Sequence, residues 1–283
     1  MPSSGAQRVL LEVCVDSLES AVIAQENGAD RLEVCANLAV GGGTTPSLGL
    51  ARCILEHVRL PIMVLIRCRT GDFYYTPSEL AVMVADIRAI ALLAEEHKDR
   101  EVGVVIGALS SNGTVDEPAV RALLQAAGHM PVTFHRAFDM VRDADEAMRT
   151  ISDITGIGRI LTSGLAPSCI TGLECIARLS RSSQALSLMP GSGIKSTNVD
   201  QLLHVLYPIW HAQGTGFEIH LSAGGYFSPQ GGGFRREGMG FGLGVTATDA
   251  EEKERREWGR WCVRAEELRE VRRLVDVFVV GQA

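Results

Sequence analysis

Eight short runs of apolar residues recur along the 283-residue chain, and longer segments with helical spacing separate them. One such segment, residues 76–96, places Val82, Ile87, Ile90 and Leu93 on one face of a predicted helix. Because each run is apolar at nearly every position, both faces of the resulting sheet should be covered. The runs fall near residues 9–15, 31–35, 61–66, 102–107, 131–135, 159–162, 185–189 and 216–221.

This alternation predicts a parallel sheet covered by helices. Eight units in about 250 residues match the size of a (β/α)8 TIM-type barrel. A doubly wound open sheet is the alternative, and it is less favoured because no GxGxxG motif follows the first predicted strand. We therefore expect an α/β barrel that forms a single domain over residues 1–283.

The segment after the eighth predicted strand departs from this pattern. Residues 222–250, SAGGYFSPQGGGFRREGMGFGLGVTATDA, contain many glycines and no hydrophobic period. A long segment of this kind inside a compact domain is typical of a functional or disordered loop. The sequence thus predicts a glycine-rich insertion that acts as a flexible loop or lid. A charged helix that starts near Asp249 or Glu251 is then expected to close the chain.

Charge and cysteine spacing exclude several classes of function. The formal net charge is −7 and no long basic run is present, so nucleic-acid binding has no electrostatic support. No apolar stretch approaches the roughly 18 residues of a transmembrane helix, and the first residues lack the apolar core of a signal peptide. The seven cysteines show no CxxC spacing, which is typical of reduced thiols. We expect a cytoplasmic protein without membrane or nucleic-acid partners.

The tripeptide Glu-Val-Cys ends the first two predicted strands, at residues 12–14 and 33–35. Reactive groups of TIM barrels gather at these strand ends. Side chains two residues apart share a side of the strand, and neighbouring strands lie about 4.8 Å apart. Two thiolates at that separation suit Cu(I), so Cys14 and Cys35 are candidate ligands of this ion. The alternative is that both cysteines fill the core as small apolar side chains.

A histidine and an arginine follow the fifth predicted strand in the motif VTFHRAFDM. His135 is a candidate general acid or base near neutral pH, and Arg136 is a candidate clamp for a carboxylate or phosphate. The alternative is a structural histidine beside an ion pair between Arg136 and Asp139. We favour the functional interpretation, because this combination at a strand end is not a packing pattern.

Two glycine-rich turns are candidates for binding an anion. They are GGGTTPS after the second predicted strand and MPGSGIKSTN after the seventh. Glycines allow backbone N–H groups to approach an oxyanion, and phosphate sites of TIM barrels often use the loops after strands seven and eight. Tight turns alone would also require glycine. Together with polar groups at other strand ends, the predicted anion- or substrate-binding residues are Arg67, Asp72, Gly191, Gly193 and His220.

Seven motifs occur in order along the chain: EVCVDSLESA, GADRLEVC, GGTTPS, IRCRTGDFYYT, VTFHRAFDM, ILTSG and MPGSGI. Their order and spacing resemble those of the CutC copper-homeostasis family from about residue 9 to 222. The resemblance implies a cytosolic TIM-type barrel that self-associates, as a dimer or tetramer, and that handles copper as Cu(I). It also implies that Cys14 and Cys35 are the copper ligands.

The chain departs from the family pattern at three places around the expected barrel mouth. Residues 67–69 read Arg-Cys-Arg where the family usually has Arg-Pro-Arg, so Cys68 is a candidate third thiol. Residues 191–193 read Gly-Ser-Gly in place of three glycines. Leu221 stands where a cysteine often follows His220.

Two functional hypotheses from different classes follow. The first is a copper-homeostasis protein that binds Cu(I) through Cys14 and Cys35. The second is a metabolic enzyme for a phosphorylated or carboxylated small molecule, because so many polar residues at one mouth exceed what a copper carrier needs. In that case His135, assisted by Glu12, acts as acid or base, and Arg67 and Arg136 hold the anion. A scaffolding oligomer is a weaker third interpretation.

Overall fold

The structure of the protein is a computed structural model, which describes residues 7–39, 41–182, 186–227 and 258–282. Eight parallel strands alternate with helices in these residues, which confirms the predicted (β/α)8 barrel. Each strand overlaps one of the predicted apolar runs. The barrel strands are β1 (Leu10–Val15), β2 (Arg31–Val34), β3 (Ile62–Leu65), β4 (Val102–Ile106), β5 (Val132–Phe134), β6 (Arg159–Thr162), β7 (Ser187–Pro190) and β8 (Glu218–Leu221).

The helices form the outer layer of the barrel. Helix α3 (Pro77–Glu96) is an example of how local sequence favours a helix, because Thr76 and Glu79 form a reciprocal capping box at its first turn. The described helices include none that is both long and apolar enough to cross a membrane. The helices are α1 (Leu18–Glu26), α2 (Leu48–His57), α3 (Pro77–Glu96), α4 (Glu117–Ala127), α5 (Ala144–Ser152), α6 (Leu173–Ser182), α7 (Val199–Gln213) and α8 (Ala265–Gly281), and a 3-10 helix spans Arg136–Met140.

The buried face of α3 differs at one position from the predicted face. Met83, Ile87, Ile90 and Leu93 are buried, whereas Val82 is 51% exposed. The prediction was wrong for Val82, because the buried stripe of the helix begins at Met83 and continues at spacings of three and four residues. The helix itself and the other three core positions were predicted.

Side chains of opposite parity on the strands pack in two separate layers. On β1, Leu11, Val13 and Val15 belong to the large core between the barrel and the helices. Cys14 belongs instead to a small cluster with Met63, whose members lie at the alternate strand positions. This second cluster is therefore the interior of the barrel, which side chains fill in TIM-type folds. Both Glu-Val-Cys motifs thus direct their carboxylates and thiols inward, as their spacing predicts. The cluster consists of Cys14, Cys35, Met63, Leu65 and Val105.

Strands β7 and β8 stand at the two ends of the hydrogen-bonded strand order and approach each other to complete the barrel. A side-chain bond crosses this join, since Ser187 Oγ donates to Glu218 Oε1 at 2.6 Å. Beyond this join, Gly191 lies against Leu161 and His220, and a Cβ atom at residue 191 would collide with Leu161. A side chain at residue 191 would therefore require the end of the Leu161 side chain to shift.

The chain continues after β8 into a short antiparallel pair of strands. Strand β9 (Gly224–Phe227) pairs with β10 (Arg260–Val263), which leads directly into α8. The predicted insertion therefore begins with ordered strand, and residues 228–250 lie outside the described residues. The predicted start of the closing helix near Asp249 or Glu251 lies outside the described residues; within them, residues 260–263 are paired in β10 and α8 follows from Ala265. The single domain over residues 1–283 stays a prediction.

Candidate functional site

A cavity of about 380 Å³ opens at the carboxyl ends of the barrel strands. Its walls come from β1, β2 and β8 on one side and from the segments after β3 and β5 on the other. This is the end of the barrel at which TIM-type proteins place their reactive groups. Six polar residues around it decide its chemistry: Cys14, Glu33, His220, Arg67, His135 and Arg136.

Cys14, Glu33 and His220 form a buried cluster on the first side of the cavity. Their thiol, carboxylate and imidazole atoms all lie within 4.8 Å of one another. Strand register brings them together, because Cys14 pairs with Glu33 across β1 and β2 while His220 lies on β8, the other neighbour of β1. His220 Nε2 lies 3.6 Å from Glu33 Oε2. This cluster has the ligand types and the spacing of a metal site.

Glu12 lies beneath this cluster and does not line the cavity. Its Oε1 lies 2.9 Å from His220 Nδ1, and its Oε2 accepts from Arg31 Nε. Burial alone would raise the pKa of Glu12, but the charge of Arg31 and the bond to His220 hold it well below 4.5. A carboxylate so deeply ionised and paired is a poor proton acceptor. The predicted acid–base role of Glu12 is not supported, and its contact instead fixes the His220 ring.

A buried ionic network continues below Glu12. Arg31 also donates to Glu218 at 2.5 Å, and Arg159 donates to the same carboxylate at 3.1 Å. The side chains at the centre of this network are at most 8% exposed; they belong to Glu12, Arg31 and Glu218. The network joins β1, β2, β6 and β8 inside the barrel. It therefore couples the position of His220 to the stability of the fold.

The surroundings of His220 and Cys14 raise the pKa of both groups. Burial would lower the pKa of His220, but its hydrogen bonds to Cys14 and Glu12 and the charge of Glu33 raise it well above 6.5. Burial is also the largest cause acting on Cys14 and raises the pKa of its thiol above 9.0, against the opposing effect of His220. A metal ion bound here would have to displace protons from its ligands.

Cys35 is fully buried in the barrel interior and is not a member of the three-residue cluster. Its Sγ lies 3.9 Å from the backbone oxygen of Glu33, and it packs in the same apolar layer as Met63. Burial, followed by the negative charge of Glu33, raises its pKa well above 9.0. The thiol has the surroundings of a core cysteine and shares an apolar cluster with Cys14.

Arg67 lies on the opposite side of the cavity and braces its rim. It is only 6% exposed, and its Nη1 donates to the backbone oxygens of Gly41 and Gly43 at 2.6 and 2.9 Å. Its Nη2 donates to the oxygen of Gly71 at 2.8 Å. In the part of the chain that the structure describes, Arg67 contacts carbonyl oxygens and no carboxylate. Its charge is thus buried without a negative partner.

His135 is held in one orientation next to Arg67. Its Nδ1 accepts from the Ala137 N–H at 3.1 Å and caps the 3-10 helix, so the proton of the neutral ring is on Nε2. The ring lies 4.9 Å from the Phe73 ring, and it covers Gly107, where a Cβ atom would collide with it. Burial, with the charge of Arg67, lowers the pKa of His135 to about 3. The neutral ring can therefore donate a hydrogen bond at pH 7, and the acid–base role of His135 stays a prediction.

Arg136 forms the predicted ion pair and also lines the cavity. Its Nε donates to Asp139 Oδ2 at 2.8 Å, and its Nη2 donates to Ser163 Oγ at 3.0 Å. Asp139 in turn accepts from the hydroxyl of Thr162 at 2.6 Å. The Arg136 side chain is 42% exposed, so it is anchored but still accessible. The two interpretations made from the sequence are thus compatible.

The remaining predicted residues lie at different distances from the cavity. Asp72 is 72% exposed and binds Arg69 at 3.0 Å, so it does not line the cavity. Gly191 lies behind His220, whereas Gly193 contributes directly to the wall at a φ of +79°. Cys68 is half-buried against the helix-side core and is outside the thiol–imidazole cluster.

The wall residues that were absent from the predicted site include Glu33, Phe73 and Trp261. Glu33 belongs to the second Glu-Val-Cys motif, so the repetition of this motif could have indicated that Glu33 is a site residue. Phe73 lies in the GDFYY segment, where nothing distinguishes it from the adjacent aromatic residues. Trp261 reaches the cavity from β10, beyond the glycine-rich segment, and a sequence interpretation that places a helix there cannot find it.

Fold and site define a (β/α)8 barrel protein with a buried thiol–carboxylate–imidazole cluster at the mouth of the barrel. The model of the CutC family matches residues 9–224, and the chain belongs to this family. A human relative, "Copper homeostasis protein cutC homolog", is 41% identical over 223 residues, which are 78% of this chain and 76% of the relative.

Two further comparisons agree. The family protein CutC of Salmonella enteritidis PT4 is 38% identical over 240 residues, 85% of this chain and 90% of the relative. The crystal structure of CutC from Streptococcus agalactiae is similar with a TM-score of 0.63 at 29% sequence identity, and the match covers 76% of this chain and 98% of that one. The family suggested by the seven sequence motifs is thereby confirmed.

Proposed function

We propose that the protein acts in copper homeostasis by binding Cu(I) at the floor of the cavity, with Cys14 and His220 as ligands. The observation that carries this proposal is the buried cluster in which Cys14, Glu33 and His220 bring their ligand atoms within 4.8 Å of one another. The human relative named as a copper homeostasis protein supports the choice of ion. Copper is here the cargo of the protein.

The donor set fits Cu(I) better than it fits a hard cation. Thiolate and imidazole are ligands that copper accepts, whereas a carboxylate alone suits magnesium or calcium. Glu33 adds a nearby negative charge, and Glu12 holds Nδ1 of His220. A ligand histidine is commonly fixed in this way, through a bond from its second ring nitrogen to a carboxylate.

Of the two cysteines predicted from the sequence, Cys14 stays a proposed ligand and His220 takes the place of Cys35. Cys35 stays a prediction as the second ligand, because its thiol is outside the cluster that Cys14 forms with His220. His220 is the nearer partner, since its ring forms a hydrogen bond with the Cys14 thiol. Copper binding through one sulfur and one nitrogen therefore requires less rearrangement of the barrel interior than binding through two sulfurs.

Cu(I) competition titrations test the proposal under anaerobic, reducing conditions. We expect Cys14→Ser to weaken Cu(I) binding by at least about 100-fold, because a hydroxyl is a poor substitute for a thiolate ligand of a soft ion. The matched control is Cys53→Ser, which removes an exposed thiol on α2 and should leave the affinity within about twofold. Cys35→Ser should weaken binding by less than about tenfold. Equal affinities for wild type and Cys14→Ser would refute the site.

Three properties of the protein stay predictions. The sequence predicts a cytoplasmic location, and the family resemblance implies a homo-oligomer, a dimer or tetramer. Binding of a small anionic molecule, from the alternative hypothesis, is the third, and three of its predicted residues, Arg67, His135 and Arg136, lie on the other side of the cavity.

A further inference from the structure

The side of the cavity around Arg67 and His135 contains buried polar groups without partners. Nε of Arg67 and Nε2 of His135 have no hydrogen-bond partner among the described residues. Both residues are more than nine-tenths buried, and both line the cavity. A buried donor that makes no bond costs about 1–3 kcal/mol, and more when it is charged. Such groups in a cavity wall indicate a ligand that supplies acceptors.

The charges of this side favour a negative ligand. The guanidinium of Arg67 donates to three carbonyl oxygens and lies over the Phe73 ring, and Arg136 exposes 42% of its side chain at the same wall. Asp139 compensates Arg136 but does not contact Arg67 in the described structure. The wall therefore carries one buried cation without a counter-ion. Leaving one charge of a pair buried and alone is strongly unfavourable, so an anion bound here would relieve that cost.

This side is chemically distinct from the copper cluster. Cys14, Glu33 and His220 stand on β1, β2 and β8, whereas Arg67 and His135 follow β3 and β5. The cluster offers a sulfur, an imidazole nitrogen and a carboxylate oxygen that can bind a metal after losing their protons, whereas Arg67 and His135 offer hydrogen-bond donors. His135 is fixed as a donor because its Nδ1 already accepts from Ala137. Phe73 packs against both Arg67 and His135 and gives that side an apolar floor.

We propose that the cavity binds a small molecule through an oxyanion, a carboxylate or a phosphate, with Arg67 and Arg136 supplying the charge and His135 Nε2–H donating to an oxygen. This function lies beyond copper binding, and it makes the barrel mouth a two-sided site. A cavity of about 380 Å³ is at the small end of ligand pockets, which fits a metabolite of modest size. Arg67 and Arg136 are suited to the oxyanion because guanidinium groups match carboxylate and phosphate geometry.

Copper-free protein titrated with inorganic phosphate and with malonate tests this proposal. Ionic strength is held constant with sodium chloride, and the readouts are the melting temperature and the imidazole ¹⁵N resonances of His135. We expect a saturable shift of the His135 Nε2 resonance and a matching stabilisation with at least one probe. The probe that saturates at the lower concentration identifies the head group. A linear, non-saturating response to both probes would overturn the proposal.

Paired variants separate the predicted contact from general effects. His135→Gln can present an amide N–H near the Nε2 position, whereas His135→Asn can accept from Ala137 but does not reach that position. We expect stabilisation by the probe in His135→Gln and its loss in His135→Asn. Arg136→Gln should weaken probe binding at least about tenfold. Because the Arg136 side chain is 42% exposed, this substitution should preserve folding. Equal binding in His135→Asn and wild type would contradict the proposal.

Two controls keep this inference independent of the copper proposal. Arg88→Gln removes the same charge from an exposed position on α3 and should leave probe binding within about twofold. The probe titrations use copper-free protein and Cu(I) binding is measured separately, so failure of the copper site leaves the anion result standing. Equal loss of probe binding in Arg88→Gln and Arg136→Gln would show that the response depends on net charge alone and would overturn the oxyanion subsite.

Discussion

Replacing Arg31 with methionine is expected to lower the free energy of unfolding by about 3–5 kcal/mol, which is the range for breaking a buried ion pair. Arg31 is the only described partner that binds both Glu12 and Glu218, and its side chain is 6% exposed. Methionine fills the space but leaves Glu12 without its guanidinium. The cost arises mainly from Glu12, which remains buried with His220 as its remaining described partner, while Glu218 keeps its contact with Arg159.

Urea unfolding of wild type and Arg31→Met at pH 7 measures this change. The matched control is Arg121→Met, which removes an exposed pair with Glu117 on α4 and should cost less than about 1 kcal/mol. A loss below about 1 kcal/mol for Arg31→Met would mean that the network is solvated or rearranged. It would also remove the basis for assigning Glu12 to the positioning of His220.

Acidification from pH 7 to pH 4.5 is expected to destabilise wild type by about 2.5 kcal/mol more than the His135→Asn variant. Burial and the charge of Arg67 lower the pKa of His135 from 6.5 to about 3 in the folded protein. Between these two values the unfolded chain binds a proton that the folded chain does not. Stability therefore falls as the pH falls through this interval, by about 1.4 kcal/mol per pH unit.

Urea unfolding at several pH values between 7 and 4.5 isolates this contribution. Other groups, such as the buried carboxylate of Glu12, also make the fold sensitive to acid, but they are present in both proteins. The difference between the two pH profiles belongs to His135. Parallel profiles would mean that His135 becomes charged at an ordinary pH in the folded state, which would contradict its assignment as a neutral donor.

The architecture was predictable because its signal is local. Each apolar run reads as a buried strand, and the spacing of α3 identifies its helix and most of its buried face. Exact positions were harder, as Val82 and its neighbour show, since a helical stripe shifts by one residue without changing the pattern. Residues 260–263 were expected to belong to the closing helix, but they form strand β10 because they pair with β9.

From the sequence, the site could be predicted only as a group of polar residues at the carboxyl ends of the strands. Cys14 and Cys35 share the inward face, but the sequence does not reveal that His220 lies nearer to Cys14. That neighbour arises from barrel closure, which places β8 beside β1 across more than 200 residues of chain. Burial likewise decides what each group does. Glu12 and His135 are titratable by type, yet the charge of Arg31 lowers the pKa of Glu12, and burial with the charge of Arg67 lowers the pKa of His135.

X-ray absorption spectroscopy at the copper edge, with one equivalent of Cu(I), tests the central claim most directly. The proposed site predicts one sulfur and one nitrogen neighbour in wild type, with the sulfur absent from the Cys14→Ser spectrum. Two sulfur neighbours in wild type, or a sulfur signal that survives in Cys14→Ser, would contradict the assignment of Cys14 and His220 as the copper ligands.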